Sequence, residues 1–232
     1  MKKLLFVFFV IGLHAVCFAQ TASNPELVHY SFPVSFIQNA GQWDNHVLFS
    51  NLLGDKNVAL LKDGLMFPAR TVHRTLDGNT SKLEKSRTRL RFVHPSHTMK
   101  AYGAAISATK SNFYSGSDQS AWKENVDNYS TVVYSNVWKN IDVEYGETDG
   151  KLTQTFIVKP GGKVSDIRIK DEEKAADRVQ PFYLTKAYTK ENGKETPVEA
   201  ALKTGANGVT SVQVKWSDTT KYIILKTEFS SV

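Results

Sequence analysis

Apolar and polar positions alternate with a period of two along most of the chain, the spacing of half-buried strands. Arg89-Leu90-Arg91-Phe92-Val93 alternates charge with apolar bulk. Ile141, Val143 and Tyr145 share one strand face, and Asp142 and Glu144 occupy the other. Turn chemistry separates such runs. Thr148-Asp149-Gly150 leads into Leu152–Val158 as a hairpin, and Pro160-Gly161-Gly162 ends that strand. Asn192-Gly193 joins Phe182–Thr189 to Pro197–Lys203 in a second hairpin. Further strands are predicted at Val34–Gln38, Val47–Ser50, Val58–Leu61, Leu65–Pro68, Val209–Trp216 and Tyr222–Phe229. Helical signals are confined to one turn at Ser120–Asn125 and to Glu172–Asp177, a charged stretch that suits a short helix or a solvated loop. Arg74–Arg87 is polar and poor in aromatics, which predicts a long surface loop. The pattern as a whole predicts an all-β fold, an antiparallel β-sandwich-like domain with long loops and little helix.

Residues 1–19 follow a different rule. Lys2 and Lys3 precede an apolar run from Leu4 to Leu13, and Cys17 and Ala19 stand at positions −3 and −1 of a cut before Gln20. That order is a secretory signal peptide, and the run is shorter than the ~20 residues a membrane helix needs. Val16 before Cys17 argues against a lipid-modified cysteine. The expected product is one exported all-β domain, 20–232, without a membrane span, lying outside the cell, on its surface or in a periplasm. Cys17 is the chain's one cysteine, so this product carries no disulfide and no thiolate metal site. The formal charge of +6 falls to +4 when Lys2 and Lys3 leave, too mild and scattered to point to nucleic acid.

Several short motifs occur in sequence order. Phe36-Ile37-Gln38-Asn39-Ala40-Gly41-Gln42-Trp43 is followed by Arg89-Leu90-Arg91-Phe92 and by Asn112-Phe113-Tyr114-Ser115-Gly116. Trp122, Asn125-Val126 and Tyr129 come next, then Val133-Tyr134 with Val137–Tyr145, Phe156–Gly161 and Ile167-Arg168-Ile169. This series resembles an uncharacterised bacterial secreted domain that precedes SBBP-type β-propeller repeats in large surface proteins. The likeness covers about 36–170, with a looser match over 180–232. Thr155 replaces an Asp of that pattern, about two strands are missing after Lys170, and Leu225-Lys226 replaces a closing Asp-Pro. The resemblance implies a stand-alone, shortened surface-protein module and no catalytic residue. A shortened sheet would leave an open edge after Lys170, through which copies could associate.

The residues that could carry chemistry each have a plainer role to weigh. His94 and His97 could share an ion, but no third ligand is fixed beside them; His29, His46 and His73 are scattered. Asp142 and Glu144 stand about 7 Å apart by strand geometry, within the roughly 5–9.5 Å of a glycosidase pair. Alternating acids on a half-exposed strand are common all the same. Trp43, Trp122, Trp138 and Trp216, with nine tyrosines, would make a sugar-stacking platform or a core. Arg87, Arg89 and Arg91 form a basic stripe that could touch anionic polymer or guard a sheet edge. The leading expectation is a non-catalytic module for surface assembly, adhesion or protein contact, without metal or cofactor, its partners being other surface proteins or glycans. A carbohydrate-binding module using exposed Trp and Tyr is second, and a secreted glycan hydrolase using Asp142 and Glu144 is third.

The leader predicts a processing event. Intact-mass measurement of exported protein is expected to give a chain beginning at Gln20; retention of Met1, or a lipid on Cys17, would contradict it.

Overall fold

Hairpin follows hairpin because turn residues meet strand runs at the required spacing. In the computed structural model, residues 35–51, 57–74, 81–172 and 182–229 are described, 68–74 and 81–87 by backbone alone. The strands are β1 (Phe36–Gln38), β2 (Val47–Ser50), β3 (Ala59–Leu61), β4 (Gly64–Arg74) and β5 (Ser81–Phe92). They continue as β6 (Lys100–Phe113), β7 (Lys123–Trp138), β8 (Ile141–Thr148), β9 (Lys151–Val158) and β10 (Arg168–Asp171). The last are β11 (Phe182–Glu191), β12 (Lys194–Pro197), β13 (Ala200–Thr204), β14 (Val209–Val214) and β15 (Tyr222–Phe229). Two 3₁₀ turns, Gln119–Ala121 and Val164–Asp166, are the helical pieces among the described residues. No helix there is long and apolar enough to cross a membrane. The signal-peptide reading of residues 1–19 lies outside the described residues.

All pairing is antiparallel, in the order β12-β11-β15-β9-β8-β7-β1-β2-β3-β4-β5-β10-β14-β13, with β6 on the other side of β7. This continuous sheet bends at β7. Its Val132–Trp138 part pairs with β8, and Asn128 and Tyr129 pair with β1. The layers on either side of the bend face each other across one core. Tyr134 Oη donates to Leu61 O at 2.7 Å and Trp138 Nε1 to Val93 O at 3.0 Å, each bond crossing from one layer to the other. Phe92 packs edge-on against both Tyr134 and Trp138, and Phe67 meets Phe229 in the same way. The expected sandwich-like all-β fold is the observed one.

Three local expectations are corrected. Of the loop expected at Arg74–Arg87, Arg74 and 81–87 are strand: β4 and β5 run on as a hairpin to Arg74 and Ser81, which pair, and 75–80 lie outside the described residues. Backbone pairing makes these strands where polar sequence gives no alternation to read. Asn192-Gly193 does turn the chain, both at positive φ, but β12 stops at Pro197 and β13 leaves to pair with β14. The open edge expected after Lys170 is closed, because β10 pairs with both β5 and β14. β15, apolar and β-branched, is a central strand between β9 and β11. The long strand paired on one side alone, among the described residues, is β6, whose exposed Tyr102 and Ile106 the alternation did not single out.

Trp138 joins the layers by both ring and indole N–H. Trp138→Ala is expected to destabilise the domain by about 3–5 kcal/mol, measured by urea unfolding. Trp138→Phe, which keeps most of the ring bulk, is expected to lose less.

Candidate functional site

β8 points Ile141, Val143 and Tyr145 into the core and leaves Asp142 and Glu144 on the outer face, as alternation requires. The two acids have different work. Asp142 Oδ1 accepts the Asn136 N–H at 2.7 Å, and Oδ2 pairs with Lys159 Nζ at 2.6 Å. Asn136 sits at φ 55, within the register shift between Tyr134 and Trp138. Asp142 thus clamps the irregular end of the β7–β8 hairpin. Glu144 is half-buried, and desolvation, with the neighbouring Asp142 charge second, pushes its pKa up. It borders an open depression of about 280 Å³ walled by Thr131, Glu147, Thr153 and Thr155 around Gly146.

The motif Asn39–Trp43 folds around one amide. Asn39 Nδ2 lies at 3.2, 2.9 and 2.8 Å from the carbonyls of Trp43, Asp44 and Val47, and its Oδ1 accepts the Gly41 and Trp43 N–H groups. Gln42 bonds Ala40 N–H and Gln38 O, and Gly41 takes φ 102, where a side chain would be strained. Trp43 is half-buried and stands edge-on to Phe113 at 5.4 Å. At the end of β6, Tyr114 meets Trp122 edge-on at 5.1 Å. Trp122 Nε1 donates to Gly116 O at 3.3 Å. A hydrogen bond from the Tyr114 phenol to Glu124 raises the Tyr114 pKa. The result is a half-exposed aromatic tip with fixed rings.

The four tryptophans therefore make no single platform. Trp138 is core, and Trp43 and Trp122 belong to the tip. Trp216 donates its indole N–H to Asp218 O and lines a groove of about 450 Å³ between β14 and the start of β15. The basic stripe is likewise not a free face. Arg89 holds Asp63 at 3.0 Å, and Arg91 holds Glu172 at 2.8 Å, on a strand paired on both sides. The Arg87 side chain lies outside the described residues. His94, at φ 50, and His97 sit in the loop after β5. Among the described residues no three of His, Cys, Asp and Glu gather to hold a metal ion. His46 bonds Asp44 at 2.7 Å. His29 and the side chain of His73 lie outside the described residues.

Sequence reasoning missed Gly146, whose effect comes from a side chain that is not there. A glycine within an otherwise regular strand was the available signal.

The Glu144 environment predicts a pH effect. An acid with a raised folded pKa opposes folding while ionised; the penalty is present above that pKa and vanishes as pH falls below its ordinary 4.5. Glu144→Gln is expected to raise the melting temperature at pH 7 and to melt with the parent near about pH 3.

No curated protein and no solved structure matches this chain. A family profile does, over residues 36–181, from the first residue of the Asn39–Trp43 motif's strand to the segment before β11. That stretch holds the Asn39 hub, the aromatic tip and the whole β7–β9 face, and it spans more than half of the chain: the protein belongs to the DUF7948 family, a domain of unknown function.

Proposed function

We propose that the protein is a non-catalytic, exported interaction module that acts in surface assembly or adhesion. The carrying observation is the aromatic tip. Phe113 and Tyr114 are consecutive on and beyond β6, and each holds a tryptophan edge-on. Tyr114 is 57% exposed, and a hydrogen bond already holds Trp122. Fixed aromatic rings lose little conformational freedom on binding, and such residues dominate contact energies. The commitment of both Asp142 oxygens supports the non-catalytic reading, since it takes Asp142 out of the glycosidase pair it would make with Glu144.

The sequence likeness to domains that precede SBBP-type propellers supports a place on the bacterial surface, and the Lys2–Ala19 leader supports export. Carbohydrate is the second form of partner. The hydroxyl-lined depression beside Glu144 favours it.

Labelled protein beginning at Gln20 is expected to bind envelope preparations of its source organism saturably. The Tyr114→Ala, Trp122→Ala double variant is expected to bind about tenfold more weakly, with unchanged far-ultraviolet circular dichroism. Equal binding by parent and double variant would remove the tip. Hydrolysis of any glycan in an activity screen, abolished by Glu144→Gln, would replace the reading with an enzyme.

A further inference from the structure

Gly146 has no conformational reason to be glycine. Its φ is not among the positive values that mark Gly41, Gly150 and Gly161. The register of β8 against β9 runs from Ile141 to Thr148 without a shift, so there is no bulge on that side, and the pairing with β7 ends at Tyr145. Nor is the site crowded. A Cβ built there would meet Thr131 Oγ1 and Thr153 Oγ1 at 3.8 Å and Ser130 O at 3.9 Å, ordinary contacts. A strand-interior glycine weakens a sheet, and a remaining physical use for one is to let another molecule approach the backbone.

The space it leaves is chemically specific. Thr131, Thr153 and Thr155 offer hydroxyl groups and Glu144 a carboxylate around the depression, and Glu147 completes its rim. One Glu147 oxygen already accepts the Gly150 N–H at 2.6 Å, which helps to fix that wall. All of these residues stand on β7, β8 and β9, three neighbouring strands, so the donors and acceptors are held in place before any ligand arrives. Tyr102 on β6 is 50% exposed. It pairs with Val133, which pairs with Glu144, so Tyr102 lies two strand spacings from Glu144, about 10 Å, on the same face. A ring at one side and alternating hydroxyl and carboxylate groups at the other suit a molecule with an apolar ring face and a hydroxyl perimeter. At about 280 Å³ the depression is smaller than the ~300–1,000 Å³ sites of drug-sized ligands and is open above, as for one ring of a longer chain. Two carboxylates disfavour an anionic ligand.

We infer that the depression over Gly146 is a subsite for one ring of a neutral saccharide chain, its hydroxyl groups bonding Glu144, Thr131 and Thr153, with Tyr102 two strands away to meet a neighbouring ring of the same chain. This rests on the interaction-module reading above and names one class of partner for it.

The test is isothermal titration of the protein from Gln20 on with cellohexaose, laminarihexaose, maltohexaose and mannohexaose. At least one is expected to bind with a dissociation constant on the order of 0.1–1 mM, as shallow open sites do. Gly146→Val fills the depression with a residue that suits a strand, and is expected to weaken binding about tenfold or more while the melting temperature holds or rises. Tyr102→Ala is expected to weaken it similarly. Gly146→Ala, which adds one methyl at ordinary contact distance, serves if the valine variant fails to fold, and is expected to bind more weakly than the parent. Absence of binding to all four sugars, or binding by the Gly146 and Tyr102 variants equal to the parent, overturns the subsite. The two proposals fail separately. If sugar binding is lost in the Tyr114→Ala, Trp122→Ala variant alone, the module reading stands and this site falls. If no sugar binds while envelope binding persists, the site falls and the tip remains.

Discussion

One strand has to belong to both layers of this fold, and the rest of the structure depends on how β7 manages it. Its early residues Asn128 and Tyr129 hold β1, and its later residues Val132–Trp138 hold β8, while β6 follows its opposite edge from Phe113 to Lys100. A uniformly regular strand would keep these partners in one gently twisted sheet. Irregularities in β7 and its neighbours allow the layers to close. Asn125 and Asn136 lie at positive φ within β7, and Asn140 does so in the turn to β8. Asparagine is the side-chain-bearing residue best suited to such conformations. Each then finds a local bond: Asn125 N–H to Asn112 Oδ1, Asn136 N–H to Asp142 Oδ1, and Asn140 N–H to Asn136 Oδ1. The Tyr134 and Trp138 bonds to the facing layer fix the distance that the bend produces.

This explains what the short motifs of the sequence encode. Asn39 and Gly41 build the turn after β1, Asn125 and Val126 begin the irregular part of β7, Asn136–Asp142 make the clamp, and Gly161 continues the turn after β9 at φ 78. Gly161 N–H then bonds Thr219 O, tying that turn to the approach to β15. Several motif residues are places where the backbone departs from regular strand geometry.

Legibility followed the same division. β8 and β9 were readable because one face of each is buried, so their apolar residues alternate with polar ones, and β15 because Tyr222–Leu225 is an apolar, β-forming run. β6 was not, because it is half-exposed on an edge and rich in alanine and serine, which leaves no alternation to detect. The ends of β4 and β5 were hidden for a related reason: their polar sequence is held as strand by mutual pairing. Within the candidate site, Trp43, left open between platform and core by the sequence, is half-buried. Its ring leans on Phe113, a neighbour 70 positions away that no local pattern could supply. Gly146 was hidden because a glycine carries no side-chain signal; its ordinary backbone angle and unbroken register against β9 set it apart only once the fold is known.

The outer face of β8 shows how two acids with identical sequence credentials diverge. Asp142 and Glu144 share a face, a strand and a charge. The difference is their neighbours. Asp142 stands beside the hairpin end, where the exposed Asn136 N–H and the Lys159 ammonium group converge, and both of its oxygens are taken. Glu144 is two residues further along, flanked by Val133 on one side and Thr155 on the other. Burial and the Asp142 charge both disfavour its ionised form. A half-buried carboxylate beside an unfilled space carries a standing cost that hydrogen-bond donors from outside the chain can offset. The hydroxyl groups of a ligand ring supply such donors without adding charge, which links the strain on Glu144 to the absence of a side chain at Gly146. Both features make the bare sheet slightly less stable, and the saccharide ring inferred above would relieve both.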